Sequence, residues 1–238
     1  LGDIVGVSAS ATSGYGSALA NLGNISNKGI ELLVKGEIMR TADFAWEASV
    51  NYTNNTSEVV ATNDTGGNIS MDEPRSRNLR VTHIVGEKYG ALFGSSYVRD
   101  ASGSIVHEMV NGIPIPKIGA RKILGFGVAP TSIGFGSSFR YKDFNASFLI
   151  EGKSGGQIYS GTNAYLIRNG HHKKTVPAGG REAGFVPTGV MEDGSTVTTS
   201  IPAAQQEDYY RRTFSIAEEG IQDSDYMRLR QLSIGYNT

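Results

Sequence analysis

The chain contains no cysteine. That excludes a disulfide framework and any thiolate metal site. It also lacks any apolar run near the roughly 18 residues that a membrane-crossing helix needs. A barrel strand shows only alternate apolar positions, so this second absence leaves a membrane barrel open. No sign of charge dominates: Lys+Arg number 22 and Asp+Glu 23, for a net charge of −1. With no basic run longer than His171–Lys174, nothing points to nucleic acid. Proline is scarce (7 residues), whereas glycine (31) and tyrosine (11) are plentiful, a balance that favours bent β-structure over helices.

What is present is period two. Residues 26–60 and 130–161 each read as a long alternating hairpin with a very short turn. Ile30, Leu32, Val34 and Ile38 share one face of the first; after Thr41-Ala42-Asp43, so do Phe44, Trp46, Ala48, Val50 and Tyr52. In the second, Ile133, Phe135, Phe139 and Tyr141 share a face, as do Phe144, Ala146, Phe148 and Ile150. Strands this long, joined by tight turns and polar on one face, predict an outer-membrane barrel wall. The expected organisation is an all-β, antiparallel transmembrane wall. It has hairpins at 27–60 and 123–161, a strand at 226–238 with a bulge near Arg230-Gln231, and long loops at 1–25, 61–122 and 162–225.

Within the loops, segments around 80–98 and 104–110 read as short strands. Asp100–Gly103 reads as a hairpin turn with glycine in a left-handed position. Ile113-Pro114-Ile115-Pro116 is extended but unsuited to a sheet interior, and Ala203–Phe214 reads as a helical turn. If both tight turns lie on one side, parity allows zero or two spanning strands in 61–122. Zero is the simpler reading and gives five wall strands. The chain opens at Leu1 without Met or signal peptide and stops after an alternating strand, so it reads as a piece of a larger protein.

No catalytic constellation emerges: there is no nucleophile elbow, no Ser-His-Asp spacing and no carboxylate pair. His171-His172, His83 and His107 lack partners at metal-ligand spacing. No metal, cofactor or enzyme activity is therefore expected. Phe44, Trp46, Tyr52, Tyr141, Phe144, Tyr159 and Tyr236, at strand ends, are candidates for the aromatic girdles at membrane interfaces. Tyr165, Tyr209, Tyr210 and Arg211 in the last long loop are candidate ligand contacts, because aromatic faces and planar donors suit carbohydrates or peptides.

Five stretches, in order, resemble one family. These are Asn21-Leu22-Gly23-Asn24-Ile25-Ser26-Asn27-Lys28-Gly29-Ile30-Glu31 and Phe44-Ala45-Trp46 with Val50-Asn51-Tyr52-Thr53-Asn54-Asn55. Next come Val85-Gly86-Glu87-Lys88-Tyr89-Gly90 with Phe93-Gly94, where Lys88 replaces an expected proline, and Phe139–Phe144 with Gly155–Thr162. The last is Tyr226-Met227-Arg228-Leu229-Arg230-Gln231-Leu232-Ser233-Ile234-Gly235-Tyr236. They resemble the SusC/RagA-type TonB-dependent transporters of the Bacteroidota outer membrane. The resemblance implies a C-terminal part of a plugged barrel of about 22 strands, with the plug domain N-terminal to it and absent here. It also implies import of oligosaccharides or peptides, a SusD-type surface lipoprotein as partner, energy from the TonB complex, and outer-membrane lipid around the wall. Two readings from other classes stay open: a glycan-binding surface β-sandwich and a passive porin-like barrel.

Overall fold

The computed structural model describes residues 2–8, 17–62, 67–71 and 78–237, with side chains from residue 23 onward. In chain order the strands are β1 (Gly2–Ser8), β2 (Ser17–Arg40), β3 (Phe44–Ala61), β4 (Ile69–Ser70), β5 (Leu79–His83), β6 (Ala91–Tyr97), β7 (Val106–Val110), β8 (Ile113–Pro116), β9 (Ile118–Phe126), β10 (Thr131–Tyr141), β11 (Phe144–Ser154), β12 (Gln157–Tyr159), β13 (Val190–Met191), β14 (Ile221–Asp223) and β15 (Tyr226–Tyr236). Two α-helices, α1 (Gly161–Arg168) and α2 (Gln206–Phe214), lie in the last loop.

A six-stranded antiparallel sheet in the order β1-β2-β3-β10-β11-β15 forms the wall. Its turns are short for local reasons. Thr41 N–H donates to the Phe44 carbonyl at 2.7 Å, while the Thr41 hydroxyl accepts from Phe44 N–H at 3.0 Å. Lys142 sits at φ 51° in the two-residue turn between β10 and β11, where a positive φ matches strand twist. Lys142 N–H donates to the Asp43 carbonyl at 2.7 Å, so both tight turns lie side by side at one end of the sheet.

β3 pairs directly with β10, and among the described residues of 62–130 no strand enters the wall between them. The expected count of five wall strands was one short. Residues 1–25, expected to be loop, contribute β1 and the start of β2, in register from Gly2 opposite Asn24 to Ser8 opposite Ser17. This small, glycine-rich sequence carries no apolar–polar contrast to reveal its period. A wall strand needs only its backbone pairing.

The expected second hairpin, 123–161, was too long at both ends. Residues 123–126 belong to β9, which pairs with β6 in another sheet, and β12 pairs with β14. The breaks are chemical: Pro130 immediately precedes β10, and Gly155 at φ 89° turns the chain away after β11. The bulge expected near Arg230-Gln231 is present: Leu149 faces Gln231 but Ile150 faces Leu229, leaving Arg230 as the extra residue.

The described residues between 62 and 129, with 155–225, build a loop layer at the end away from the tight turns. It is tied to the wall by Val59 N–H to the Glu87 carbonyl (2.9 Å) and Asn55 N–H to the Pro130 carbonyl (2.8 Å). The layer holds a four-stranded sheet, β4-β5-β6-β9, and a three-stranded one, β13-β7-β8. β8, with its two prolines, is an edge strand, as missing N–H groups require. The Asp100–Gly103 turn forms with Gly103 at φ 85°.

The conventional cores sit in this layer. One packs Leu79, Leu92 and Ala217 with Val81, Leu124, Tyr159 and Ile221. The other packs Ile113, Ile115 and Ile201 with Val110, Phe185 and Tyr209. A Cβ at Gly94 would fall 2.6 Å from the Ala217 Cβ, which shows how closely β6 approaches the segment before β14.

Candidate functional site

The wall is the first functional element, and its register explains it. Rows of directly paired residues cross four strands: Tyr52–Ile133–Gly152–Met227, Val50–Phe135–Ile150–Leu229, Ala48–Ser137–Phe148–Leu232, Trp46–Phe139–Ala146–Ile234 and Phe44–Tyr141–Phe144–Tyr236. On β2, Leu32 and Val34 extend the same face opposite Tyr52 and Val50. This face is apolar and open. Ile234 is 77% exposed, Met227 76% and Leu232 63%. A continuous apolar surface of this extent is not left to water in a folded soluble domain. Among the described residues no second sheet packs on it, as a sandwich would require.

The intervening rows are polar: Asn51–Gly134–Glu151–Arg228 and Glu47–Ser138–Ser147–Ser233. Glu151 accepts from Arg228 Nε at 2.8 Å and from Arg230 Nη1 at 2.7 Å, so the bulge places both guanidiniums on one carboxylate. A Cβ at Gly134 would lie 2.0 Å from Asn51 Oδ1, so the Asn51 amide rests across the bare backbone there. Leu33 and Leu149 interrupt this otherwise polar side.

The dimensions fit a membrane. β10 and β11 each have 11 residues. Ten steps of ~3.4 Å give ~34 Å of strand, and a tilt of ~40° brings the height to ~26 Å, against an apolar band of ~25 Å in outer-membrane barrels.

Most of the expected girdle residues lie on the apolar face. Phe44, Trp46, Tyr141, Phe144 and Tyr236 gather at the tight-turn end, with the Phe144 and Tyr236 rings 4.7 Å apart. Trp46 stacks on Phe139 at 5.8 Å, and its indole N–H donates to Ser137 Oγ at 2.9 Å, which satisfies the one polar atom of the ring within an apolar surface. Tyr52 lies toward the opposite end. Tyr159 is a correction: it is off the wall, packed with Leu79, Leu92 and Ala217, because the chain leaves the sheet at Gly155. Phe135, Phe139 and Phe148 form an aromatic ladder down the same face.

The four candidate ligand contacts do not form one surface. Tyr165 packs on Phe214 at 4.9 Å. Tyr209 meets Phe185 and Tyr210 edge-on and lies parallel to His107, and burial pushes its phenol pKa up. Arg211 pairs with Glu207 at 2.6 Å on the outside of α2. Only Tyr210 lines a cleft, of about 440 Å³, together with Arg168, Asn169, Gly170, Thr175, Arg181, Ala203, Gln206 and Glu207. Sequence reasoning missed Arg168 and Arg181, which come from separate segments and carry no motif.

Ion pairs hold the loop layer. Glu219 accepts from the Tyr97 hydroxyl at 2.7 Å and pairs with Lys174; Glu218 pairs with Arg99 at 2.7 Å. Burial, with Glu219 beside it, pushes the Tyr97 phenol pKa far up. Burial also holds the His107 imidazole below its ordinary value. Asp225, below the ordinary carboxyl range because it accepts from Ser154 Oγ and Gly155 N–H, ties the end of β11 to the start of β15. Among the described residues no three His, Asp or Glu side chains cluster at metal-ligand range.

No family model matches the chain. Individual relatives do. TonB-dependent receptor P3 of Formosa agariphila is 26% identical, over 94% of this chain and 23% of the relative. TonB-dependent receptor SusC of Bacteroides thetaiotaomicron is 24% identical, over 91% of this chain and 21% of the relative. The RagAB peptide importer in its closed-closed state superposes with a TM-score of 0.64 at 16% identity, covering 98% of this chain and 25% of that one. In sequence and fold the chain is similar to a barrel-wall segment of the SusC/RagA type. It spans under a quarter of the length of the curated relatives it matches. These relatives are named as receptors and importers rather than enzymes. A sheet of six strands is open in the way expected of a minority share of a barrel of about 22 strands.

Proposed function

We propose that these strands are part of the outer-membrane wall of a TonB-dependent nutrient importer. The observation that carries this reading is the sheet with one open apolar face and one polar face, in a chain that aligns over nine-tenths of its length with TonB-dependent receptors. The apolar face meets lipid, and closure of the ladder satisfies every backbone group there. The polar face lines the lumen. The tight turns at 41–43 and 142–143 face the periplasm and the loop layer faces outward, following the usual asymmetry of such barrels. The described residues between β3 and β10 stay on the outer side, a reading supported by the direct β3–β10 pairing.

The cargo is an oligosaccharide or a peptide. A SusD-type surface lipoprotein closes the mouth over the loop layer. Energy comes from the TonB complex through a plug that lies outside these 238 residues. The work is conformational gating, with no covalent step. The test uses the full-length protein in its native membrane. Affinity purification from detergent-extracted outer membranes should bring a surface lipoprotein with it, and uptake of its oligosaccharide or peptide should stop when TonB is removed. Uptake that continues without TonB would favour a passive porin. Recovery as a water-soluble monomer would remove the membrane reading altogether.

A further inference from the structure

The cleft of about 440 Å³ between α1, α2 and residues 170–181 has an unusual charge balance. Several loop-layer cations are paired: Arg99 with Glu218, Lys117 with Glu192, Lys174 with Glu219, Arg211 with Glu207 and Arg212 with Glu108. Arg168 and Arg181 both line the cleft, and neither has a carboxylate partner among the described residues. The only acidic group in the lining, Glu207, is already held by Arg211 at 2.6 Å.

Both guanidiniums are held in place by their surroundings. Arg168 lies over the Phe214 ring at 5.0 Å. Arg181 Nη1 sits over Gly170, 3.2 Å from where a Cβ would be, at a residue with φ 72° that only glycine adopts easily. The buried Gln206 amide donates to the Ala183 carbonyl at 2.7 Å and to the Arg181 carbonyl at 3.4 Å, which anchors the segment carrying Arg181. Tyr210 supplies an aromatic wall, and its hydroxyl reaches the Lys174 carbonyl at 3.4 Å. Asn169 adds a neutral polar side chain at the rim.

The geometry points to a subsite for a carboxylate-bearing ligand group, gripped between Arg168 and Arg181 with its carbon skeleton against Tyr210. Two planar donor forks around one opening suit a carboxylate better than a neutral hydroxyl, because charge-assisted paired hydrogen bonds are the strongest contacts such donors form. The volume falls within the usual range for small-ligand pockets. The carboxylate belongs either to an acidic sugar or to a peptide C-terminus. This deepens the importer proposal and rests on it.

Calorimetry on the full-length protein in detergent tests it with matched pairs: trigalacturonate against its methyl ester, and trialanine against trialanine amide. One acid should bind at least ~10-fold more tightly than its neutral counterpart, and that advantage should shrink as NaCl rises. Arg181→Ala and Arg168→Gln should each collapse the advantage, and the responding pair identifies the source of the carboxylate. Lys117→Ala, at a cation paired with Glu192 and outside the cleft lining, is the control for a general loss of positive charge and should leave the advantage in place. The subsite is refuted if acid and neutral forms bind alike, if neither acid binds, or if Lys117→Ala acts as strongly as the cleft variants. TonB-dependent uptake with equal binding of acid and neutral ligands would sink only this subsite. Absence of TonB-dependent uptake would sink the importer reading instead.

Discussion

Placing an arginine at Leu232 is the sharpest perturbation of the wall. Leu232 pairs with Phe148, whose other neighbour is Ser137. Ser137 lies six residues from Thr131 and four from Tyr141, so this row sits within one or two residues of mid-height. Leu232 is 63% exposed within the chain, so little packing is lost with its side chain. The expected cost is therefore almost wholly that of a guanidinium near the bilayer centre, ~2–4 kcal/mol, or roughly 30-fold to 1,000-fold in the folding equilibrium. Tyr236→Arg, in the row beside the tight turns, should cost only ~0–1 kcal/mol. Gln231→Arg, adjacent in sequence but on the polar face, should cost about as little. The assay is folding of the full-length protein into lipid vesicles across a urea series, read as the band that migrates compactly without heating. Equal costs at 231 and 232, or no difference between 232 and 236, would refute the assignment of this face to lipid.

Further outcomes follow from particular contacts. Ser137→Ala removes the acceptor of the Trp46 indole N–H inside an apolar face and should cost ~1–2 kcal/mol by the same folding assay; adding Trp46→Phe should recover part of it. Glu219→Gln weakens the Tyr97 and Lys174 contacts at a side chain only 13% exposed, and should cost ~1–2 kcal/mol locally, seen as faster hydrogen exchange over residues 217–220. Burial lowers the His107 pKa below 6.5 in the folded loop layer, so the unfolded segment binds the proton more readily. Stability there should be constant above pH ~6.5 and fall below it, by at most ~1.4 kcal/mol per pH unit, until the folded ring also protonates. Hydrogen exchange of the β7 amides at pH 7.5, 6 and 5 measures this, and His107→Gln should flatten the dependence.

The wall was legible where its two faces differ chemically. Ile30 to Val34, Phe44 to Tyr52 and Ile133 to Ile150 alternate apolar and polar residues, and the register puts the apolar ones on a single face; Ile38, expected on that face, instead falls at a bulge, so Met39 lies opposite Trp46. Even the bulge at Arg230 was visible, because two polar residues in succession break the alternation. β1 and the start of β2 were not legible, since small residues on both faces leave no contrast. α1 was also missed. Its signals, a Ser160 cap on Asn163 N–H and buried Ala164 and Ile167 three apart, are short and lie in a polar segment.

The surroundings of the loop tyrosines were not legible for a related reason. The last long loop folds into a layer with its own cores: Tyr209 packs against one of them, Tyr165 lies on Phe214, and Tyr210 stacks on Phe185 while lining the cleft. The cleft between Arg168 and Arg181 depends on that packing, and no one-dimensional pattern announces it.

The central claim is that one face of this sheet meets lipid and the other does not. Spin labels placed singly from 227 to 236 in the full-length protein in vesicles measure this directly, through collision with oxygen and with a water-soluble nickel chelate. Positions 227, 229, 232, 234 and 236 should favour oxygen, and positions 228, 230, 231, 233 and 235 the nickel reagent, with the phase break at Arg230. Uniform accessibility along the strand, or nickel access at 232 and 234, would contradict it.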